Sequence, residues 1–172
     1  MSSPTGPAAL VAATRSHFAH AQSGDLTINI IVNNAGVAGN RFVTPSISSS
    51  TADSDMVADF QKQYNTNVLG PLLLMQAALP YLPYDRSGRI VNLSSVSSSL
   101  GFPGQSVYGG TKAALEAMTR TWARELSERA TVNAVNPGPV DTDMVRSSSF
   151  ILSHHACSCF TSTLVSVAIL RR

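Results

Sequence analysis

The chain has 172 residues, 44% of them hydrophobic and 13% charged, which allows one globular domain with a real core and argues against disorder. Its formal net charge of +2 and twelve scattered basic residues leave no electrostatic footprint for nucleic acid. No stretch reaches the ~18 apolar residues needed to span a bilayer, the first twenty residues lack the apolar run of a secretory signal, and Cys157 and Cys159 stand too close together for a disulfide framework; a cytoplasmic protein with no membrane partner is expected.

In chain order, residues 8–21 are alanine-rich and predict a helix, with Gly24-Asp25 as its exit. Ile28-Asn29-Ile30-Ile31-Val32 is a continuous apolar run, the pattern of a strand in a parallel sheet covered by helices on both faces. Residues 37–53 are rich in Ser, Thr, Gly and Pro and predict a loop. A long helix is expected from Ser54, a suitable N-cap with Asp55 behind it, to about Leu79. Gly70-Pro71 lies inside that helix, and an interior proline removes a backbone bond and bends the axis. Asn67 sits one turn before the bend, where freed carbonyls can hold water. A second strand, Arg89-Ile90-Val91-Asn92-Leu93, leads into a loop over 94–105. A helix over 106–129 and a third strand, Thr131-Val132-Asn133-Ala134-Val135, follow. Strand, helix, strand, helix, strand predicts right-handed parallel crossovers in a doubly wound α/β sheet.

The chemistry concentrates in Tyr108-Gly109-Gly110-Thr111-Lys112. Residues four apart share one helix face. An ammonium roughly 5 Å from a phenol, at an effective dielectric of about 20, favours the phenolate by about 3 kcal/mol, or about two pKa units. Such a phenol exchanges protons near neutral pH. Lys62 and Lys112 are the chain's two lysines. Ser95, thirteen positions before Tyr108, ends the second strand, with Ser94 as the neighbouring alternative. Asn33-Asn34-Ala35-Gly36 follows the first strand, Asn67-Val68-Leu69-Gly70 lies between, and Asn136-Pro137-Gly138 precedes Thr142.

In this order and spacing the set resembles the short-chain dehydrogenase/reductase family in its compact form, over about residues 8–145. The resemblance implies a partial Rossmann-like sheet with flanking helices, in which an NAD(P)(H)-dependent oxidoreductase interconverts a ketone and a secondary alcohol. It assigns Tyr108 as general acid or base and Lys112 as the group that lowers its pKa and holds the nicotinamide ribose. Ser95 would hold the substrate carbonyl oxygen, and Asn67 would anchor a water in a proton relay. Asn33, Asn34, Ala35 and Gly36 would form a turn near the adenosine ribose. Pro137, Gly138 and Thr142 would border the nicotinamide, with Thr142 on its carboxamide. The cofactor is NADP or NAD, with NADP favoured. Helices 54–79 and 106–129 resemble the family's dimer-forming pair, which suggests a homo-oligomer. Leu100, Phe102 and Pro103 in the loop after Ser95 suggest an apolar ketone.

The chain departs from the family at both ends. No glycine-rich pyrophosphate turn is found: Thr5-Gly6 starts like one, but Leu10 and Ala12 occupy the glycine positions. The first three strands, and with them the adenosine half of the cofactor site, are expected to be missing. That leaves strand 28–32 with an open edge and uncovered apolar faces. Residues 1–146 are read as a partial cofactor-binding and catalytic domain. Residues 147–172 contain no Asp, Glu or Lys and are read as a tail outside the family fold. Four ligands as close as His154, His155, Cys157 and Cys159 do not have a structural zinc spacing, so no metal is expected. The competing reading is a non-catalytic remnant, or a fragment that dimerises with a complete relative.

Overall fold

Apolar alternation along three short strands builds the centre of the protein. β1 (Ile30–Asn33), β2 (Gly88–Leu93) and β3 (Ala130–Asn136) pair side by side in parallel. The computed structural model describes residues 3–18, 26–43, 52–138 and 166–168. Ile31, Ile90 and Val132 are in register across the three strands and are all buried. Because strand side chains alternate between faces, these three mark one core-facing side of the sheet.

That side is covered by α1 (Gly6–Phe18), α3 (Gly70–Ala78) and α5 (Ser106–Glu125). Val11 of α1, Met75 and Ala78 of α3 and Trp122 of α5 join the sheet residues in one cluster. On α5 the buried positions Thr111, Leu115, Thr119 and Trp122 recur at helical spacing and form the stripe that meets the sheet. On the other side of β1, Ile30 is 67% and Val32 53% exposed, as expected of an edge strand with an uncovered apolar face.

Two differences from the sequence expectation concern the sheet and the long helix. A fourth strand, β4 (Ser166–Ala168), pairs antiparallel with the outer edge of β3. The sheet is therefore mixed, in the order β1-β2-β3-β4, and three residues of the tail belong to it. β3 otherwise presents unpaired backbone groups, which a short extended segment satisfies whatever its direction. The rest of 147–172, including both cysteines and both tail histidines, lies outside the described residues.

The helix expected over 54–79 is interrupted. α2 (Ala52–Tyr64) ends in a π-helical turn, Asn65–Leu69, before α3 begins and closes in a 3₁₀ turn, Leu79–Tyr81. Pro71 has no N–H to offer the carbonyl of Asn67 four residues earlier, and a π turn is one way a helix absorbs such a fault. The first helix begins at Gly6 rather than Ala8 and is described as far as Phe18; residues 19–21 of the expected helix lie outside the described set. α5 stops at Glu125, four residues short of the expected end. The loop over 94–105 contains one more short helix, α4 (Ser97–Leu100), ended by Gly101 at φ +67°, a left-handed conformation that suits glycine.

Candidate active site

The carboxyl ends of β1 and β2 and the first turns of α5 converge on one cluster of polar side chains. Tyr108 and Lys112, one helical turn apart, share a face: the Lys112 Nζ lies 5.6 Å from the centre of the Tyr108 ring. The amine is buried and donates to the Leu93 carbonyl at 2.6 Å. Burial lowers its pKa from the usual 10.5 to about 8. The phenol moves the other way from expectation. Burial raises the Tyr108 pKa, and a hydrogen bond with Ser95 opposes that rise without reversing it. Desolvation disfavours the charged form of both groups, and the amine is engaged by a backbone carbonyl while it sits beside the ring.

Ser95 and Ser94 separate cleanly. Ser94 is buried, and its Oγ donates to Glu116 Oε1 at 2.7 Å, away from the tyrosine. Ser95 is half-buried and hydrogen-bonds with Ser97, whose Oγ lies at 3.1 Å. This separation agrees with Ser95 as the tyrosine's partner.

Asn67 occupies the π turn and is buried. Its side chain makes three hydrogen bonds: Oδ1 accepts from the Val37 N–H at 2.8 Å, and Nδ2 donates to the Val37 carbonyl at 2.8 Å and to Thr111 Oγ1 at 3.0 Å. The amide therefore clamps the loop after β1 to α5, with both Nδ2 protons committed. Thr111 in turn donates to the Tyr108 carbonyl at 2.7 Å, so the clamp reaches the helix turn that carries the tyrosine.

The residues of 33–36 divide. Asn33 ends β1 and points into the core, not toward a surface turn: Nδ2 donates to Asn92 Oδ1 at 2.7 Å, and Asn92 passes the chain on to Thr119 at 2.8 Å. The Asn33 Oδ1 is buried and has no partner among the described residues. Asn34 and Ala35 are exposed. Gly36 lies over the amine, where an added Cβ would stand 3.6 Å from Lys112 Nζ and 3.5 Å from Asn67 Oδ1. Pro137 and Gly138 are half-buried beyond β3, and the Pro137 carbonyl accepts from the Val96 N–H at 3.1 Å. Thr142 lies outside the described residues.

Three contributors escaped the sequence reading. Glu116 accepts from both Ser94 and Asn136 through Oε1, each at 2.7 Å, and so ties the ends of β2 and β3 to α5. Its signal was its place one turn beyond Lys112. Gln105 receives the Ser97 hydroxyl at 2.7 Å, and nothing in its neighbourhood of sequence marked it. Gly109 lets α5 approach the backbone of α4: a Cβ there would lie 2.6 Å from the Ser97 carbonyl oxygen. Among the described residues no cluster of three or more His, Cys, Asp or Glu side chains is placed to hold a metal, and no helix is long and apolar enough to cross a membrane.

Comparison with known proteins follows the same lines. A family model described as short chain dehydrogenase matches residues 9–150. An L-xylulose reductase of Aspergillus niger is 59% identical over 137 residues, covering 78% of this chain and 45% of the relative. An L-xylo-3-hexulose reductase of Hypocrea jecorina is also 59% identical, over 117 residues, covering 68% of this chain and 37% of that protein. Among solved structures, the angucycline C-6 ketoreductase LanV with bound NADP superposes with a TM-score of 0.68 at 31% identity, covering 83% of this chain and 51% of LanV. The chain spans about half the length of the relatives it matches, or less.

Proposed function

The chain belongs to the short-chain dehydrogenase family, and from that membership we propose that it carries the proton-handling half of an NAD(P)(H)-dependent oxidoreductase that interconverts a ketone and a secondary alcohol. The observation that carries the proposal is the convergence of Ser95, Tyr108 and Lys112, from the end of β2 and one face of α5. The Lys112 ammonium has three donors and spends one on Leu93, which suits the remaining two to a pair of ribose hydroxyls. Gly36 leaves backbone, not a side chain, against that amine. Lys112 and Gly36 fit the nicotinamide-ribose end of the cofactor, with Pro137 and Gly138 bordering it and the exposed Asn34 and Ala35 on the side of the adenosine ribose; Thr142 is the proposed carboxamide partner. When bound, the reduced nicotinamide supplies the hydride.

Ser95 donates its hydroxyl proton to the substrate carbonyl oxygen, where negative charge develops. Tyr108 gives that oxygen its proton in reduction and takes it back in alcohol oxidation. With its pKa raised by burial, the phenol is neutral near pH 7 and holds the proton that reduction requires. Lys112 stands behind the phenol and supplies positive charge as the phenolate forms. Asn67 holds the loop over 34–37 in place and offers its backbone carbonyl to a relay water. NADP is the proposed form of the cofactor, in keeping with LanV, and the cytoplasm the proposed location.

A second reading is supported by the open face of β1, where Ile30 and Val32 are exposed: a fragment that is stable only in association. On α2, Val57 is 56% and Phe60 45% exposed, which supports self-association through α2, α3 and α5. Titration of the purified chain with NADPH and NADH, following cofactor fluorescence and thermal melting together, tests the first reading. Saturable binding with turnover of a ketone panel is expected; a folded chain that binds neither cofactor refutes it in favour of the second.

A further inference from the structure

We infer that Ser97 and Gln105 read a hydroxyl on the carbon next to the substrate carbonyl, so that this site prefers an α-hydroxyketone to a plain ketone. The inference rests on the carbonyl reduction proposed above and names the substrate class for the same site.

Each proton along one hydrogen-bond chain has a fixed destination. Ser95 donates to Ser97 Oγ at 3.1 Å, and Ser97 donates to Gln105 Oε1 at 2.7 Å. The Ser97 proton is thereby committed to Gln105, and its oxygen accepts from the Ser95 side. A substrate carbonyl that captures the Ser95 proton takes away the donor that Ser97 Oγ had. A plain ketone has nothing to replace it. An α-hydroxyketone does: its O–H can donate to Ser97 Oγ while its carbonyl accepts from Ser95. Covalent geometry holds those two ligand oxygens within hydrogen-bond distance of each other, which matches the 3.1 Å between the two serine oxygens. The Gln105 amide, whose Oε1 accepts the Ser97 proton at 2.7 Å, keeps its N–H groups as further donors.

The reader is held by backbone as well as by side chains. The Ser97 N–H donates to Ser95 Oγ at 3.2 Å, and the Ser97 carbonyl rests on Gly109, where a Cβ would come within 2.6 Å. The Gln105 carbonyl accepts from the Gly109 N–H at 2.7 Å, and the Arg41 N–H ties the preceding Gly104 carbonyl to the loop after β1 at 2.7 Å. Both residues are half-buried, close enough to solvent to admit a ligand and dry enough for a lost hydrogen bond to count. Of the residues that suggested an apolar ligand, Leu100 and Pro103 are exposed and Phe102 is half-buried.

A matched pair, 3-hydroxy-2-butanone and 2-butanone, isolates one hydroxyl. With NADPH and the full chain, wild type is expected to favour the hydroxyketone in kcat/KM by about tenfold or more. In Ser97→Ala that ratio falls to near one, mainly through a higher KM for the hydroxyketone. Ser97→Thr keeps the hydroxyl and retains the preference, while Gln105→Leu reduces it. A wild type that reduces both ketones equally well, or a Ser97→Ala variant that keeps the wild-type ratio, overturns this inference and leaves the proposed function standing. A wild type that reduces other ketones of the panel but neither of this pair overturns this inference alone; one that binds cofactor and reduces no ketone overturns both.

Discussion

Replacing Lys112 with methionine isolates the cost of burying its amine. The fall in pKa from 10.5 to about 8 has desolvation as its cause, so the folded state holds the lysine proton less tightly than the unfolded chain. Below about pH 8 both states carry the charge, and folding bears the full penalty. At roughly 1.4 kcal/mol per pKa unit, that is about 3 kcal/mol. As pH rises from 8 toward 10.5 the folded state loses its proton first and the penalty fades, leaving about 1 kcal/mol at pH 10. Wild-type stability should therefore gain about 2 to 2.5 kcal/mol between pH 7 and pH 10 through this residue alone. The methionine variant lacks that gain. It also leaves the Leu93 carbonyl without its 2.6 Å donor, but this loss of about 1 to 3 kcal/mol is the same at both pH values and cancels from the comparison. Urea unfolding followed by fluorescence of Trp122, the one tryptophan of the chain and buried in the core, measures the difference. Wild-type and variant stabilities that run parallel from pH 7 to pH 10 would show that the amine is not desolvated as described.

Other substitutions separate chemistry from architecture. Tyr108→Phe should leave melting and cofactor affinity near wild type while lowering kcat for ketone reduction by about 10²- to 10⁴-fold; a smaller loss in steady-state assays would remove the phenol as the general acid. Asn67→Ala empties three hydrogen bonds and should cost about 2 to 4 kcal/mol in chemical denaturation, with faster amide exchange at Val37; unchanged exchange there would contradict the clamp. Gly109→Ala places a methyl 2.6 Å from a backbone oxygen and should destabilise by about 1 to 3 kcal/mol. An alanine variant as stable as wild type would mean that α4 stands farther from α5.

Short apolar runs are local regularities, and they were enough to locate the three parallel strands; Tyr108, Lys112 and Ser95 stood out only as a set whose order and spacing resemble a family's motifs, since residues four apart on a helix mark a shared face and not a role. The bare face of β1 was expected from the resemblance, because the family's first three strands are missing from the pattern, and Ile30 and Val32 are exposed there. Three-dimensional packing decided the rest. The direction of the Tyr108 shift was set by burial, which no spacing of two residues reveals. Asn67 spends its amide on Val37, thirty positions away, and Asn33 pairs with Asn92 across two strands; both partners are chosen by the sheet and not by neighbours in the chain. The chain from Ser95 through Ser97 to Gln105 closes only when α4 settles on Gly109, because hydrogen bonds act over about 3 Å and only the folded backbone brings these side chains that near.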